Sequence, residues 1–155
     1  MKLLTASLRS ICIVGALVVT PLANAGGSET PEDAVRALER AYTQRNVDAA
    51  VAALDFVEEG RQMLQETNPV AANDPEIIKQ TAAALELEFR NDLRKNGFPD
   101  FGKMTCTFPS KQQMAPGLVK FSEQCVAADG ARFNEKRIVM RKDAGWRVVL
   151  PSPVF

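Results

Sequence analysis

Apolar positions recur first at helical spacing and then at alternating spacing along this chain. Ala34, Val35, Leu38, Ala41 and Tyr42 share one helix face, with Arg36, Glu39 and Arg40 directed the other way. Thr30 is placed to cap that helix, with Pro31 in its first turn and Asp33 at the capping-box position. After "QRNVD", Asp48 is placed to cap a second helical segment containing Ala49, Ala50, Val51, Ala53 and Leu54. Gly60 weakens that pattern, so residues 49–66 read either as one helix or as two short ones bent near Asp55. A third segment starts at Asp74-Pro75 and closes at Gly97, and its stripe of Ile78, Ala82, Leu85, Phe89 and Leu93 marks a core face.

Beyond "GFPDFG" the spacing changes. "KMTCTF", "LVKFSEQCVA", "ARFNEKRIVMR" and "WRVVL" read as strands, separated by turn signals at Pro116-Gly117, Asp129-Gly130 and "KDAG". The prediction is an α+β chain, with about three helices over residues 30–96 and then an antiparallel meander of four strands. A turn centred on Pro116-Gly117 brings Cys106 within one diagonal step of Cys125, and a small irregularity would place them in bonding range.

The first 25 residues have the pattern of a secretory signal peptide. Lys2 and Arg9 precede an apolar run from Ile11 to Val19, and Ala23-Asn24-Ala25 is a small-x-small cleavage pattern. The run is short for a membrane span, which needs ~20 residues. Residues 26–155 are then expected to form one periplasmic domain, with no membrane contact after cleavage. Cys12 leaves with the signal, and the remaining pair, Cys106 and Cys125, suggests one disulfide in an oxidising compartment. Two buried free thiols are the alternative.

Charge is split between the two halves. Residues 26–100 hold 15 acids and 8 bases, whereas residues 101–155 hold 4 acids and 9 bases. Opposed fields on one small domain suit the steering of a charged partner; the alternative is that the two halves simply offset each other. The basic half carries no nucleic-acid motif and few aromatics, so no nucleic-acid partner is expected.

The chain has no histidine. That removes the commonest general base, the Ser-His and Cys-His dyads and histidine metal sites, and two cysteines alone make a poor zinc ligand set. No metal or cofactor is expected. Four residues are candidates for a pocket. Tyr42 lies on the apolar face of the first helix, where packing with its hydroxyl at the edge is the commoner role. Asp55 lies at the bend. Glu123 shares a strand face with Val119, Phe121 and Cys125; if that face is buried, Glu123 is an acid in the core with a raised pKa, and if solvated it is ordinary. Trp146 leads the last strand. In "ALDFVEEGRQMLQE", Phe56, Met63 and Leu64 are expected to face the core, while Glu58, Glu59, Arg61 and Gln62 face water as an acidic partner-docking surface.

The opening "TPEDAVRALERAYTQRNVDAAVAAL" resembles the first helices of the nuclear transport factor 2-like superfamily. A narrower resemblance, to bacterial immunity proteins of that fold, rests on "DFVEEGRQML", "EIIKQTAAALELEFRNDLRKNGFPDF" and the cysteine of "GKMTC". The superfamily implies a cone-shaped fold with a bent sheet wrapped around helices, and pairing of copies through the sheet face. The narrower group implies a non-enzymatic inhibitor that binds and neutralises a cognate secreted toxin. Isomerases and cyclases share the architecture, so a small enzyme using carboxylate acid–base chemistry, or a small-ligand module, stands as the alternative.

Overall fold

The computed structural model describes residues 27–150 apart from 143 and 144. The expected signal peptide, the "PSPVF" tail and the centre of the "KDAG" turn lie outside the described residues. Four α-helices precede the sheet: α1 (Pro31–Thr43), α2 (Val47–Ala53), α3 (Phe56–Thr67) and α4 (Pro75–Asn96). The extra helix arises because the second expected segment breaks at Asp55, one of the two arrangements its sequence allows.

Each helix start has a local cause. Thr30 Oγ1 accepts a hydrogen bond from the Asp33 N–H and donates to Asp33 Oδ2, which forms the expected cap of α1. The cap of α2 is Asn46, not Asp48: Asn46 Oδ1 accepts from the Ala49 N–H at 3.0 Å. Asp48 lies one residue inside, suits the positive end of the helix, and accepts from Arg90 on α4 at 2.7 Å. Asp74 and Pro75 open α4, and Gly97 closes it at φ 84°, a conformation that favours glycine.

Gly60 is where α3 meets α4. A Cβ there would lie 3.2 Å from the Ala82 nitrogen and 3.4 Å from the Ile78 carbonyl oxygen. The residue that weakens the helical pattern therefore lets two helices approach closely.

The sheet has the order β1-β2-β3-β4, with β1 (Met104–Ala115), β2 (Leu118–Ala127), β3 (Arg132–Lys142) and β4 (Gly145–Val149), all neighbours antiparallel. β1 runs well past "KMTCTF" to the turn. Two irregularities in its pairing with β2, between Thr107 and Ser110 and between Gln113 and Ala115, bring Cys106 directly opposite Cys125, and the two are joined by a disulfide. The edges of the sheet are treated differently. The outer edge of β4 is covered, since Ser28 exchanges two backbone hydrogen bonds with Trp146 and the Asp55 N–H donates to Val148. β1 lies at the other edge, interrupted by Pro109 within its irregular segment and carrying Lys111; both features discourage further strand pairing.

The core lies between α1 and the sheet. Val35 and Leu38 pack with Val119, Phe121, Val139 and Val148. Full burial of such a side chain contributes roughly 1.5–3 kcal/mol. Tyr42 extends the core toward α4 through an aromatic group, stacked on Phe101 at 5.8 Å and angled against Phe89 and Phe98. Among the described residues, no helix is long and apolar enough to cross a membrane.

Candidate functional site

The buried-face alternative for β2 holds. Val119, Phe121, Glu123 and Cys125 all point inward, and Glu123 is completely buried. A lone buried carboxylate would be costly, and here it is paired. Arg137, opposite Phe121 on β3 and so one diagonal step from Glu123, is itself 4% exposed and donates from Nε to Glu123 Oε2 at 2.8 Å. The Arg137 guanidinium lies 5.7 Å from the Phe101 ring centre, which links it to the aromatic group around Tyr42.

A second acid joins this pair. Glu39 on α1 was expected to face solvent, but it is half-buried and within hydrogen-bonding reach of Glu123. Burial, and then the Glu123 carboxylate beside it, push the Glu39 carboxyl up to about 8. Glu39 Oε1 and Glu123 Oε1 are both buried without a donor among the described residues. One proton held between the carboxyls would satisfy both atoms and leave a single negative charge facing Arg137.

The sequence contained a signal for Glu39. It lies four residues after Val35 and three before Tyr42, so it flanks the buried stripe rather than opposing it. Arg137 had no such signal, because its register with Glu123's strand depends on the hairpin.

Glu39 also lines a cleft of about 370 Å³ between α1 and the start of β1, together with Arg36, Arg40, Phe101 and Cys106. The sulfurs of Cys106 and Cys125 lie within 4.8 Å of a Glu123 oxygen, but they are bonded to each other and offer no thiolate to a metal.

The acids of α3 differ from expectation. Glu58 and Glu59 are 5% and 6% exposed, and Arg61 and Gln62 are half-buried, so this is not a solvated face. The physical reason is that α3 is covered on more than one side, by α4 across Gly60 and by β4 beyond Asp55. Glu58 is neutralised locally: it accepts from both Arg61 Nε and the terminal Arg61 nitrogen, and from Gln62 Nε2 at 3.0 Å. Glu59 has no such arrangement. Its Oε2 is buried with no hydrogen-bond partner among the described residues, and burial followed by repulsion from Glu88 pushes its carboxyl up to about 7.

The four expected pocket residues do not converge. Tyr42 packs among phenylalanines. Asp55 is 3% exposed and caps α3, its Oδ1 accepting from the Glu58 N–H at 3.0 Å. Glu123 lies inside the sheet, and Trp146 is half-buried beside a separate cleft of about 260 Å³ formed with α1 and α2. What comes together instead is an interior cluster, Glu39-Glu123-Arg137, and an outer acidic cleft between α3 and α4. Comparison of the chain with family models, with curated proteins and with solved structures finds no match.

Proposed function

We propose that this chain is an exported, non-enzymatic binding protein of the bacterial immunity class, which neutralises a cognate secreted toxin in the periplasm. The observation that carries this reading is the placement of its acids. The interior acid Glu123 is matched by Arg137, whereas the uncompensated acid Glu59 sits between two surface helices. The stretch "DFVEEGRQML", on which the immunity resemblance rests, supplies that acid and most of α3. The disulfide suits an oxidising compartment. The order of helices before a meander supports the proposal of a nuclear transport factor 2-like fold, in which the sheet would bend into a cone around the helices.

The test is a sibling competition. Deleting the gene in a strain that secretes the toxin should leave cells open to killing, and restoring the intact gene should return survival. Equal survival with and without the gene would overturn the reading.

One observation favours a second reading. A carboxyl held protonated near neutral pH at the side of a cleft, as Glu39 is, has the form of a general acid. Under an acid–base enzyme, Glu39→Gln would abolish protection while the protein still bound its target. Full protection by Glu39→Gln excludes it.

A further inference from the structure

Phe56, Met63, Leu85, Phe89 and Leu150 line a cleft of about 360 Å³ between α3 and α4. Glu59, Glu88 and Asp92 line the same cleft, and no basic residue lines it among the described residues. The cations nearest in sequence on the two helices have other contacts: Arg61 pairs with Glu58, Arg90 with Glu86 and Asp48, and Arg94 donates to Asn91. Phe56 and Phe89 lie with ring centres 5.6 Å apart. The cleft therefore combines two aromatic rings, three carboxyls and one buried acceptor, Glu59 Oε2, that has no hydrogen-bond partner among the described residues.

We propose that this cleft receives a basic side chain of the protein partner, an arginine or lysine whose apolar stem lies on the phenylalanines and whose charge meets Glu59, Glu88 and Asp92. The assignment rests on the binding-protein reading above and names the chemistry its partner must present. An anion is excluded by the three acids. A bare divalent ion would require a shell of oxygens and water, and half of this wall is hydrocarbon. A neutral apolar group would fill the space but leave Glu59 without a donor. A guanidinium provides several donors in a fixed plane, and its attraction to the ring faces adds to the pairing.

Proton linkage follows from the site. Burial and then Glu88 push the Glu59 carboxyl up to about 7, with Asp92 also lining the cleft and the Glu58–Arg61 pair flanking Glu59 in sequence on α3. A bound cation favours the ionised form. Binding should therefore release a proton from Glu59 and tighten as pH rises through 7.

The experiment titrates the exported protein with n-butylguanidinium, using n-butanol as the neutral control, and follows backbone amide resonances. At pH 8, butylguanidinium should shift the resonances of Phe56, Glu59, Leu85 and Phe89, and n-butanol at the same concentration should not. Glu59→Gln should weaken binding by about tenfold and abolish its pH dependence, with Glu88→Gln as a second variant giving a smaller loss. Equal shifts from n-butanol, or equal binding by Glu59→Gln, would overturn the site. Toxin binding separates the two claims. If Glu59→Gln binds toxin as tightly as the parent protein does, the docking assignment fails and the immunity reading stands. If the parent binds butylguanidinium but no toxin, the immunity reading fails and the partner assignment with it, leaving a site for a free organic cation.

Discussion

Glu123 and Glu59 are two glutamates with nearly the same burial, 0% and 6% exposed, and different company. Glu123 lies within the sheet, faces Arg137, and is within reach of Glu39, which carries a proton near neutral pH. Glu59 lies between two helices, where burial and then the neighbouring acid Glu88 disfavour its charge. The same side chain at the same depth thus acts as a structural charge in one region and as an unmet acceptor in the other. Burial alone does not identify a functional acid; the presence or absence of a built-in counterion distinguishes the two.

The largest effect should come from breaking the interior pair. Arg137→Met leaves Glu123 without its counterion and should cost about 3–5 kcal/mol, read from the urea unfolding midpoint. Replacing both partners, Glu123→Leu with Arg137→Met, should cost far less, because no uncompensated charge remains. If the single and double variants lose the same stability, the pairing is not what holds Glu123 there.

Next is the staple beside Glu123. Removing the disulfide with Cys106→Ala and Cys125→Ala should cost about 2–4 kcal/mol by the same measurement. The helical region does not depend on that bond, so native-state hydrogen exchange should quicken in β1 and β2 more than in α4.

The dependence on pH sharpens the comparison. Glu39 at about 8 and Glu59 at about 7 are both raised above the ordinary 4.5, so the folded chain binds more protons than the unfolded chain between these values. Their contribution to stability is full below 4.5 and is lost as pH rises through 7 and 8. Stability should therefore fall from pH 5 to pH 8.5. Glu59→Gln should flatten the part of that fall near 7 and stabilise the protein at pH 8.5 by on the order of 1 kcal/mol. A fall that Glu59→Gln leaves unchanged would mean that Glu59 is not a source of it.

The smallest effect should be at an exposed acid that does have a partner. Glu32 meets Lys111 at 2.9 Å, with both side chains substantially exposed. Glu32→Ala should cost under about 1 kcal/mol, and less in high salt, because water screens the pair.

Much of the architecture was legible from local patterns. Thr30, Asp74, Pro75 and Gly97 punctuate helices through backbone chemistry that needs no distant partner, and Asp55 marks a break because it caps the next helix. The cysteine pairing was legible to within one diagonal step, since a tight turn sets strand register and only the two irregularities in β1 remained to be added. Asp48 misled because Asn46 and Asp48 both cap well, and the choice depends on where the backbone leaves α1. Glu58 and Glu59 misled for a different reason. A helical wheel separates one buried face from one wet face, and α3 is covered from more than one direction.

By itself, the sequence determined the class and order of the elements, the caps of the first and last helices, the disulfide to within one diagonal step and the absence of histidine side chains. These follow from short-range spacing, side-chain size and composition. Only the tertiary structure decided which carboxylates are matched. The Glu39-Glu123-Arg137 cluster draws on α1, β2 and β3, and the cleft at Glu59 draws on α3, α4 and the end of β4. Charge compensation acts through space over a few ångströms, and residues far apart in the chain reach that range only when the elements pack.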